Sequence, residues 1–279
     1  MPGISIVDPN LKNRTTISEL SIQVSPNGFS FCVLSAVQHL RAFRHYELKD
    51  VVLLDDLLSQ TEEILEKDDI LQIPAKKVRI ITTGRNSTIL PIDFTQPESL
   101  KKILNFNHPV DEMDEIHINK IGNDLSLVFT VHHYLSFMFS KYFEDAEYYS
   151  QATPMVNHAM NKKLKQTEIL IQVNKDFFDM VILVDGEFRL YNNFLYVNST
   201  DMIYFILYAC KQLNIDAKKT PFHFMGDFSG QNNLFTELLS YLPRSTKIHP
   251  IHITSETKYS HKVDASRFYS LLSVHQCEL

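Results

Sequence analysis

The pattern of apolar and polar positions predicts several strands, a helix and a further strand in the first half of the chain. Asn27-Gly28 lies between two apolar-rich runs, and this dipeptide favours a tight hairpin because both residues tolerate positive φ. A third, alternating run and a segment with apolar residues at helical spacing follow. The predicted elements are two strands within Leu20–Ser35, a strand at Leu40–Leu48, a helix at Asp50–Lys67 and a strand at Lys77–Gly84.

The second half of the chain repeats this order. Asp185-Gly186 is the expected turn between two of its strands, and Ser199 or Thr200 is the expected N-cap of its helix. The predicted elements are strands at Glu168–Asn174, Phe177–Val184 and Glu187–Tyr196, a helix at Ser199–Asn214 and a strand at Pro221–Gly226.

The offset between the two halves is constant. Gln23 and Gln172 are 149 residues apart, and so are the two predicted helix starts. The order β-β-β-α-β in both halves indicates a duplicated, two-lobed architecture. We expect lobe one at residues 1–165, with an inserted α+β subdomain at about 85–150, and lobe two at residues 166–279. Asn161–Gln166 is the predicted crossing between the lobes.

The remaining patterns add short elements to this frame. Tyr134–Phe143 and Met202–Tyr208 are aromatic-rich and expected in the core, and the first is also a candidate partner groove. The acidic clusters Glu62–Asp69 and Asp111–Glu115 predict solvated faces, or docking patches for a basic partner. The further predicted elements are a short helix after Pro97, strands flanking Gly122–Asp124, helices within Tyr134–Phe143, Ala152–Leu164 and Gln231–Leu242, a strand at Thr246–Ile253 and a terminal helix at Ala265–Val274.

Composition narrows the class of protein. The chain has 279 residues, 44% hydrophobic and 22% charged, which is ordinary for a globular protein with a large core. A net charge of −6 argues against nucleic acid or an anionic membrane as partner. The longest apolar-rich run, Met202–Cys210, has nine residues, about half of a membrane span. We therefore expect a buried helix there, no membrane insertion and, because the N-terminus lacks a signal-peptide pattern, a cytoplasmic protein.

The spacing of cysteines and histidines predicts no catalytic or metal-binding residue. Cys32, Cys210 and Cys277 are far apart, and the first two lie in apolar runs typical of buried thiols. His132 and His133 would face opposite sides of a strand and could not chelate one metal ion together. The sequence contains no HExxH, GxSxG, GxxxxGK[ST] or GxGxxG motif.

Paired β-β-β-α-β halves of this size resemble the actin-like ATPase superfamily, which includes cell-division protein A and the M-type pilus assembly ATPase. A closer resemblance is carried by VRIITTGRNSTILPIDF with ILNFNHPVDEMDEI, then AEYYSQATPMVNHAM, and FDMVILVDGEFRLYNNF leading into FMGDFSG. In these residues the chain is more similar to an uncharacterised bacterial family of about this length that has an actin-like ATPase fold and no assigned function. That resemblance spans about Glu19 to His252. It implies an α/β, two-lobed actin-like ATPase (ribonuclease H-like duplicated) fold with mixed sheets flanked by helices.

The superfamily resemblance implies three nucleotide-contacting loops, of which the first is the turn Gln23–Gly28. The acid that would act through magnesium is missing from this turn, and Pro26 has no N–H to donate to an anion. Ser25 and Gly28 remain as candidate phosphate contacts. The alternative is a plain hairpin.

The second and third loops differ in how much of the pattern they keep. The turn Asn174–Phe177 contains no glycine, although Lys175 could contact a phosphate and Asp176 or Asp179 could hold magnesium through water. The third loop keeps Gly226 and Gly230, with Ser229 beside them, ahead of a helix whose first amides could bind an anion. The alternatives are a solvated turn and a simple strand-to-helix connection.

Because two of the three loops lack the groups that phosphoryl transfer requires, the sequence predicts a degenerate, non-catalytic actin-like protein. Such a protein would act as a binding or scaffolding module through a protein partner or self-association, without a cofactor. The alternative is a nucleotide-binding actin-like ATPase that holds ATP and magnesium in an inter-lobe cleft. A weaker third hypothesis is an unrelated hydrolase. The predicted cleft residues are Ser25, Gly28, Lys175, Asp176, Gly226 and Ser229.

Overall fold

The structure is a computed structural model of the chain, and it describes residues 1–11, 15–161, 165–228, 233–250 and 264–277. The chain forms two compact units. The first is Met1–Thr153 with the C-terminal residues from Ser270, and the second is Pro154–Pro250 with Asp264–Tyr269. The lobe boundary at residues 165 and 166 stays a prediction, as does the inserted subdomain at about 85–150.

The first unit contains most of the strands. From the N-terminus the elements are β1 (Ile4–Val7), β2 (Ile17–Ser25), β3 (Gly28–Leu34), β4 (Leu40–Glu47), α1 (Leu54–Lys67), β5 (Ala75–Thr82), β6 (Ser87–Pro91), α2 (Pro97–Asn107), β7 (Asp114–Ile121), β8 (Leu125–His132), α3 (His133–Ser140) and β9 (Glu147–Ser150). The main sheet has the order β1-β4-β3-β2-β5-β9, and β2, β5 and β9 run parallel. A smaller antiparallel sheet, β6-β8-β7, packs Val128 against Leu100 and Leu104 of α2.

The second unit is built on one five-stranded sheet. The elements that follow β9 are α4 (Thr153–Asn161), β10 (Glu168–Val173), β11 (Phe177–Val184), β12 (Glu187–Leu195), α5 (Ser199–Gln212), β13 (Phe222–Gly226), α6 (Leu234–Tyr241), β14 (Ser245–Lys247) and α7 (Tyr269–Ser273). Of α7, the residues from Ser270 onward belong to the first unit. The sheet has the order β12-β11-β10-β13-β14, antiparallel from β10 to β12 and parallel from β10 to β14. Its core joins alternate strand residues, such as Ile171 and Phe178, to Met202 and Leu238 of the two helices.

The repeated order β-β-β-α-β is confirmed, as β2-β3-β4-α1-β5 and as β10-β11-β12-α5-β13. Both inner strands β3 and β10 are buried along their whole length, which explains their nearly continuous apolar sequence. In each unit the first and last strands of the motif lie side by side and run parallel, β2 with β5 and β10 with β13. Their carboxyl ends lie at one edge of the sheet, where α/β proteins commonly bind ligands.

The helix starts differ from the predicted ones because of capping. α1 begins at Leu54 rather than Asp50, since the Asp56 carboxylate accepts the N–H groups of Val52 and Leu53 at 3.1 and 2.9 Å. The N-cap of α5 is Asn198, whose side chain accepts the N–H of Asp201 at 3.1 Å. The predicted caps Ser199 and Thr200 were therefore one and two residues late.

The two predicted hairpin turns form for different reasons. Asp185 and Gly186 have φ values of 54° and 81°, so the expected left-handed turn is confirmed. Neither Asn27 nor Gly28 has a positive φ, and the reason predicted for this turn is wrong. A Cβ atom at Gly28 would lie 2.6 Å from Cε1 of His45 on β4, so this glycine is required by a close approach between strands.

The acidic cluster Glu62–Asp69 is not uniformly solvated, which corrects the prediction for it. The side chain of Asp68 is fully buried. Its carboxylate accepts hydrogen bonds from Arg44 at 2.7 Å, from the Tyr46 hydroxyl and from the N–H of Ile70 at 2.8 Å. Asp69 also contacts Arg44 at 2.7 Å but is 46% exposed. The buried Asp68 carboxylate is stabilised because Arg44 and Tyr46 of β4 donate hydrogen bonds to it.

The terminal segments are shorter than predicted. The strand expected at Thr246–Ile253 is β14, and the part beyond Pro250 lies outside the described residues. Residues 162–164, which belong to the predicted helix Ala152–Leu164 and to the predicted crossing, also lie outside them.

Burial of Cys32 and Cys210 is confirmed, and it raises the pKa of these thiols to about 12 and about 11. None of the helices in the described part of the chain combines the length and apolarity needed to span a bilayer.

Candidate functional site

The first candidate loop closes the hairpin of β2 and β3 with its own atoms. The Ser25 hydroxyl accepts the N–H of Asn27 at 3.3 Å and donates to the carbonyl of Gly28 at 3.2 Å. Pro26 supplies no N–H. The Ser25 proton is thus used within the turn and Gly28 fits the space beside β4, so both residues have structural roles that need no ligand.

The second and third candidate loops meet at one edge of the sheet in the second unit. Val173 at the end of β10 lies opposite Gly226 at the end of β13, and the N–H of Asp227 donates to the Val173 carbonyl at 2.9 Å. Lys175 and Asp176 follow Val173 directly. The structure therefore places three of the predicted cleft residues, Lys175, Asp176 and Gly226, at this edge. Ser229 lies outside the described residues.

Gly226 is held by backbone packing rather than left open to a ligand. Its φ is +97°, and a Cβ atom there would lie 2.1 Å from the carbonyl oxygen of Val173. Its N–H donates to the carbonyl of Ser266 at 2.8 Å. Since the next N–H, that of Asp227, is also bonded within the chain, two amides that could have faced a phosphate are occupied.

The turn Asn174–Phe177 is likewise closed from within. The N–H of Asn174 donates to the Phe177 carbonyl at 2.9 Å, and the Phe177 side chain is buried, at 8% exposed. Tyr196, the residue after β12, supports the turn, with its hydroxyl donating to the Asn174 carbonyl at 2.7 Å and its N–H donating to the Asp176 carbonyl at 3.0 Å. The side chains of Lys175 and Asp176 are exposed to solvent, and Asn174 is half-buried.

We expect Tyr196→Phe to lower the free energy of unfolding by about 1 kcal/mol at neutral pH, because the partly buried Asn174 carbonyl loses its donor. Burial, together with the negative charges of Asp176 and Asp227, raises the pKa of Tyr196 from 10.0 to about 12. A raised pKa adds stability below pH 10, and this stability is lost as the pH rises towards 12. Urea denaturation at neutral pH and between pH 10 and 12 should therefore show a smaller alkaline loss in Tyr196→Phe than in the wild type. Equal losses would contradict this role of Tyr196.

Aromatic side chains pack together at the described start of the third loop. Phe228 packs edge-on against Phe224 and Phe235, with ring centroids 6.2 and 5.7 Å away. The ammonium of Lys247 lies 4.6 Å from the centroid of Phe228 and 5.0 Å from that of Phe235. This arrangement continues the core of the second unit into the loop.

Asp179, which the sequence suggested as an indirect magnesium ligand, lies in a buried polar row. Gln172, Asp179 and Asn193 are in register on adjacent strands, and each is at most 9% exposed. The Asp179 carboxylate accepts hydrogen bonds from the Asn174 amide at 3.1 Å and from the Tyr191 hydroxyl at 3.0 Å. Among the residues described, no three His, Cys, Asp or Glu side chains are arranged to hold a metal ion.

A small polar cavity that the sequence did not indicate lies at the ends of β5 and β9 in the first unit. Its volume is about 160 Å³. Gln151 is fully buried beside it, and its amide donates to the Gly84 carbonyl at 2.9 Å and accepts the Gly84 N–H at 3.1 Å. The cavity is lined by Thr82, Gly84, Arg85, Asn86, Phe129, Thr130, Ser150 and Gln151.

A second feature missed from the sequence is a groove between α5 and α6, which we call the tyrosine groove. The sequence predicted Met202–Cys210 as a buried helix, but Tyr204 and Tyr208 are 60% and 49% exposed. Their spacing of four residues was the signal for an aromatic stripe on one helix face. The groove has a volume of about 420 Å³. It is lined by Thr200, Ile203, Tyr204, Glu237, Ser240 and Tyr241.

Comparisons with known proteins give the fold of the chain. A family model described as protein of unknown function (DUF3822) matches residues 8–244. A solved protein from Bacteroides thetaiotaomicron, with an actin-like ATPase fold and unknown function, has a TM-score of 0.76 and 21% identity, over 93% of this chain and 96% of that one. The PilM–PilN type IV pilus biogenesis complex has a TM-score of 0.58 and 10% identity, over 94% and 99%. No curated protein matches. The chain thus has the actin-like ATPase fold that its sequence implied.

Proposed function

The chain belongs to the DUF3822 family of proteins of unknown function, and we propose that it works as a non-catalytic binding or scaffolding module on an actin-like ATPase fold. Its resemblance to an uncharacterised family with this fold is confirmed.

One observation carries the proposal: the donors of the candidate phosphate loops are bonded within the chain. The Ser25 hydroxyl and the N–H groups of Asn174, Gly226 and Asp227 all have intrachain acceptors. A phosphate could accept these N–H and O–H groups only if the intrachain hydrogen bonds broke. Each broken bond would leave its intrachain acceptor without a donor, which costs about as much free energy as losing a buried hydrogen bond. Phosphoryl transfer depends on such preorganised donors together with a metal ion, so the proposal excludes ATP hydrolysis.

The structural similarity to the PilM–PilN complex supports a role in binding a protein. That complex shows that a protein with a related fold is found assembled with a partner. We propose that the present chain also acts through a protein partner or through a second copy of itself. Sedimentation velocity over a wide concentration range tests self-association. A monomer at every concentration, together with no partner that can be reconstituted from purified components, would contradict the proposal.

The second candidate function is nucleotide binding without hydrolysis, and one observation favours it. The side chains of Lys175 and Asp176 are exposed at the carboxyl edge of β10, next to Gly226, where a cation and a carboxylate could hold a magnesium-bound phosphate. The two candidate functions make opposite predictions for Mg·ATP.

We expect Mg·ATP at millimolar concentration to leave the melting temperature unchanged, because the backbone donors of the loops are occupied. A ligand at about 100 times its dissociation constant would add about 2.7 kcal/mol to the free energy of unfolding, which thermal denaturation detects readily. Isothermal titration calorimetry gives an independent measurement. Lys175→Ala is the matched variant, since this side chain is exposed and its loss should not affect folding. Saturable stabilisation that Lys175→Ala abolishes would favour the nucleotide-binding alternative.

A further inference from the structure

The tyrosine groove presents two matching sets of side chains. Thr200, Ile203 and Tyr204 occupy positions i, i+3 and i+4 of α5 and therefore share one helix face. The remaining three residues have the same spacing on α6, beginning at Glu237 and ending at Tyr241. Ile203 is 8% exposed and forms an apolar floor, whereas the two tyrosines are more than half exposed. The groove has the volume of a small-ligand site, which is typically about 300–1,000 Å³.

The polar groups of the groove favour a cation. Within the described part of the chain, the Glu237 carboxylate makes no hydrogen bond or ion pair. Tyrosine ring faces attract cations because of their quadrupole. The groove also contains the last turn of α6, where the helix dipole is negative. The opposite dipole at the start of α5 is countered by Asp201, whose carboxylate accepts the N–H of Val197 at 3.0 Å.

We propose that the tyrosine groove binds an arginine side chain presented by a protein partner. A guanidinium is planar, so it can stack on a tyrosine face and bond a carboxylate through two N–H groups at once. The methylene stem of arginine would cover the apolar floor at Ile203. The net charge of −6 of the chain favours an approaching cationic segment. This inference rests on the proposed function as a binding module and names the chemistry of the partner.

Pools of short, otherwise randomised peptides with a fixed central residue provide the test. The central residue is arginine, lysine or citrulline, which has nearly the shape of arginine but no charge. We expect the immobilised full-length protein to retain the arginine pool about fivefold more than the citrulline pool, as an exposed charge pair combined with stacking would give. The lysine pool should be retained less than the arginine pool, because an ammonium cannot bond the carboxylate bidentately.

Two groove variants and two matched controls locate the binding. Glu237→Gln removes the charge at nearly constant shape, and Tyr204→Leu removes one aromatic wall; both should abolish the preference for arginine. Glu66→Gln and Tyr134→Leu, an exposed glutamate and a 47% exposed tyrosine of the first unit, should retain it. Circular dichroism checks that every variant is folded.

The outcomes separate this inference from the proposed function. Equal retention of the arginine and citrulline pools, or an unchanged preference in folded Glu237→Gln, would overturn the arginine site while leaving a binding module with another surface. Equal retention of lysine and arginine would overturn the assignment of a guanidinium. Saturable binding of Mg·ATP would instead contradict the proposed function, whatever the groove binds.

Discussion

Replacing Gly226 by valine is expected to lower the free energy of unfolding by at least about 4 kcal/mol, or to prevent folding of the second unit. The first atom of any side chain would lie 2.1 Å from the Val173 carbonyl oxygen, and the φ of +97° is strained for every residue other than glycine. Both strands would have to separate at this point. Urea denaturation followed by circular dichroism measures the loss, and Gly226→Ala provides a milder variant if the valine protein does not fold.

Gly84→Ala is the matched control for Gly226. A Cβ atom at Gly84 would meet no other atom within 4 Å, so this variant should lie within about 0.5 kcal/mol of the wild type. The comparison also separates two explanations of Gly226. If Gly226 served nucleotide binding, the Gly226→Val protein would be stable but would bind less nucleotide. If Gly226 serves strand packing, the same variant is unstable even when no ligand is present. A Gly226→Val protein as stable as the wild type would contradict the strand-packing explanation.

Asp68→Asn should lower the free energy of unfolding by about 3 kcal/mol, because it removes one partner from a buried ion pair. The fully buried carboxylate of Asp68 accepts hydrogen bonds from Arg44 and Tyr46, and burial and this carboxylate raise the pKa of the Tyr46 hydroxyl. An asparagine would leave Arg44 without that charge and would turn an NH₂ group towards a donor. Chemical denaturation at neutral pH measures the difference.

Asp69→Asn provides the control for this prediction within the same side-chain cluster. Asp69 contacts the same guanidinium nitrogen of Arg44 at the same distance, 2.7 Å, but it is 46% exposed. Solvent screens an exposed pair, so the loss should be below about 1 kcal/mol. Equal losses for Asp68→Asn and Asp69→Asn would mean that burial does not set the strength of this cluster.

The strands and their repeat could be predicted because their signals are local. A strand buried on both faces requires a nearly continuous apolar run, and β10 and β11 have one. The left-handed turn at Asp185 and Gly186 has the dipeptide that such a turn needs. The resemblance to a known family then led from this order of elements to the actin-like ATPase fold.

The roles of individual residues in the candidate loops could not be predicted in the same way. The sequence indicated that the third loop keeps Gly226 whereas the turn Asn174–Phe177 contains no glycine, but the reason for Gly226 depends on Val173, more than fifty positions earlier in the chain. Gly28 was assigned to a positive φ, yet the proximity of β4 explains it. Whether the predicted cleft residues bind a ligand stays a prediction.

The sequence by itself predicted the strands and the helix of each repeat, the absence of an acid from the turn Gln23–Gly28 and the absence of a glycine from Asn174–Phe177, since each of these depends on residues within one short segment. Only the tertiary structure decided that Asp68 is buried, that Phe177 and Phe228 pack inward, and that Tyr204 faces a groove. Burial of a side chain depends on which distant segments pack beside it and on the hydrogen-bond partners they bring. A periodic sequence pattern indicates which face of a helix or strand is apolar. The tertiary fold determines which other segment of the chain packs against that face.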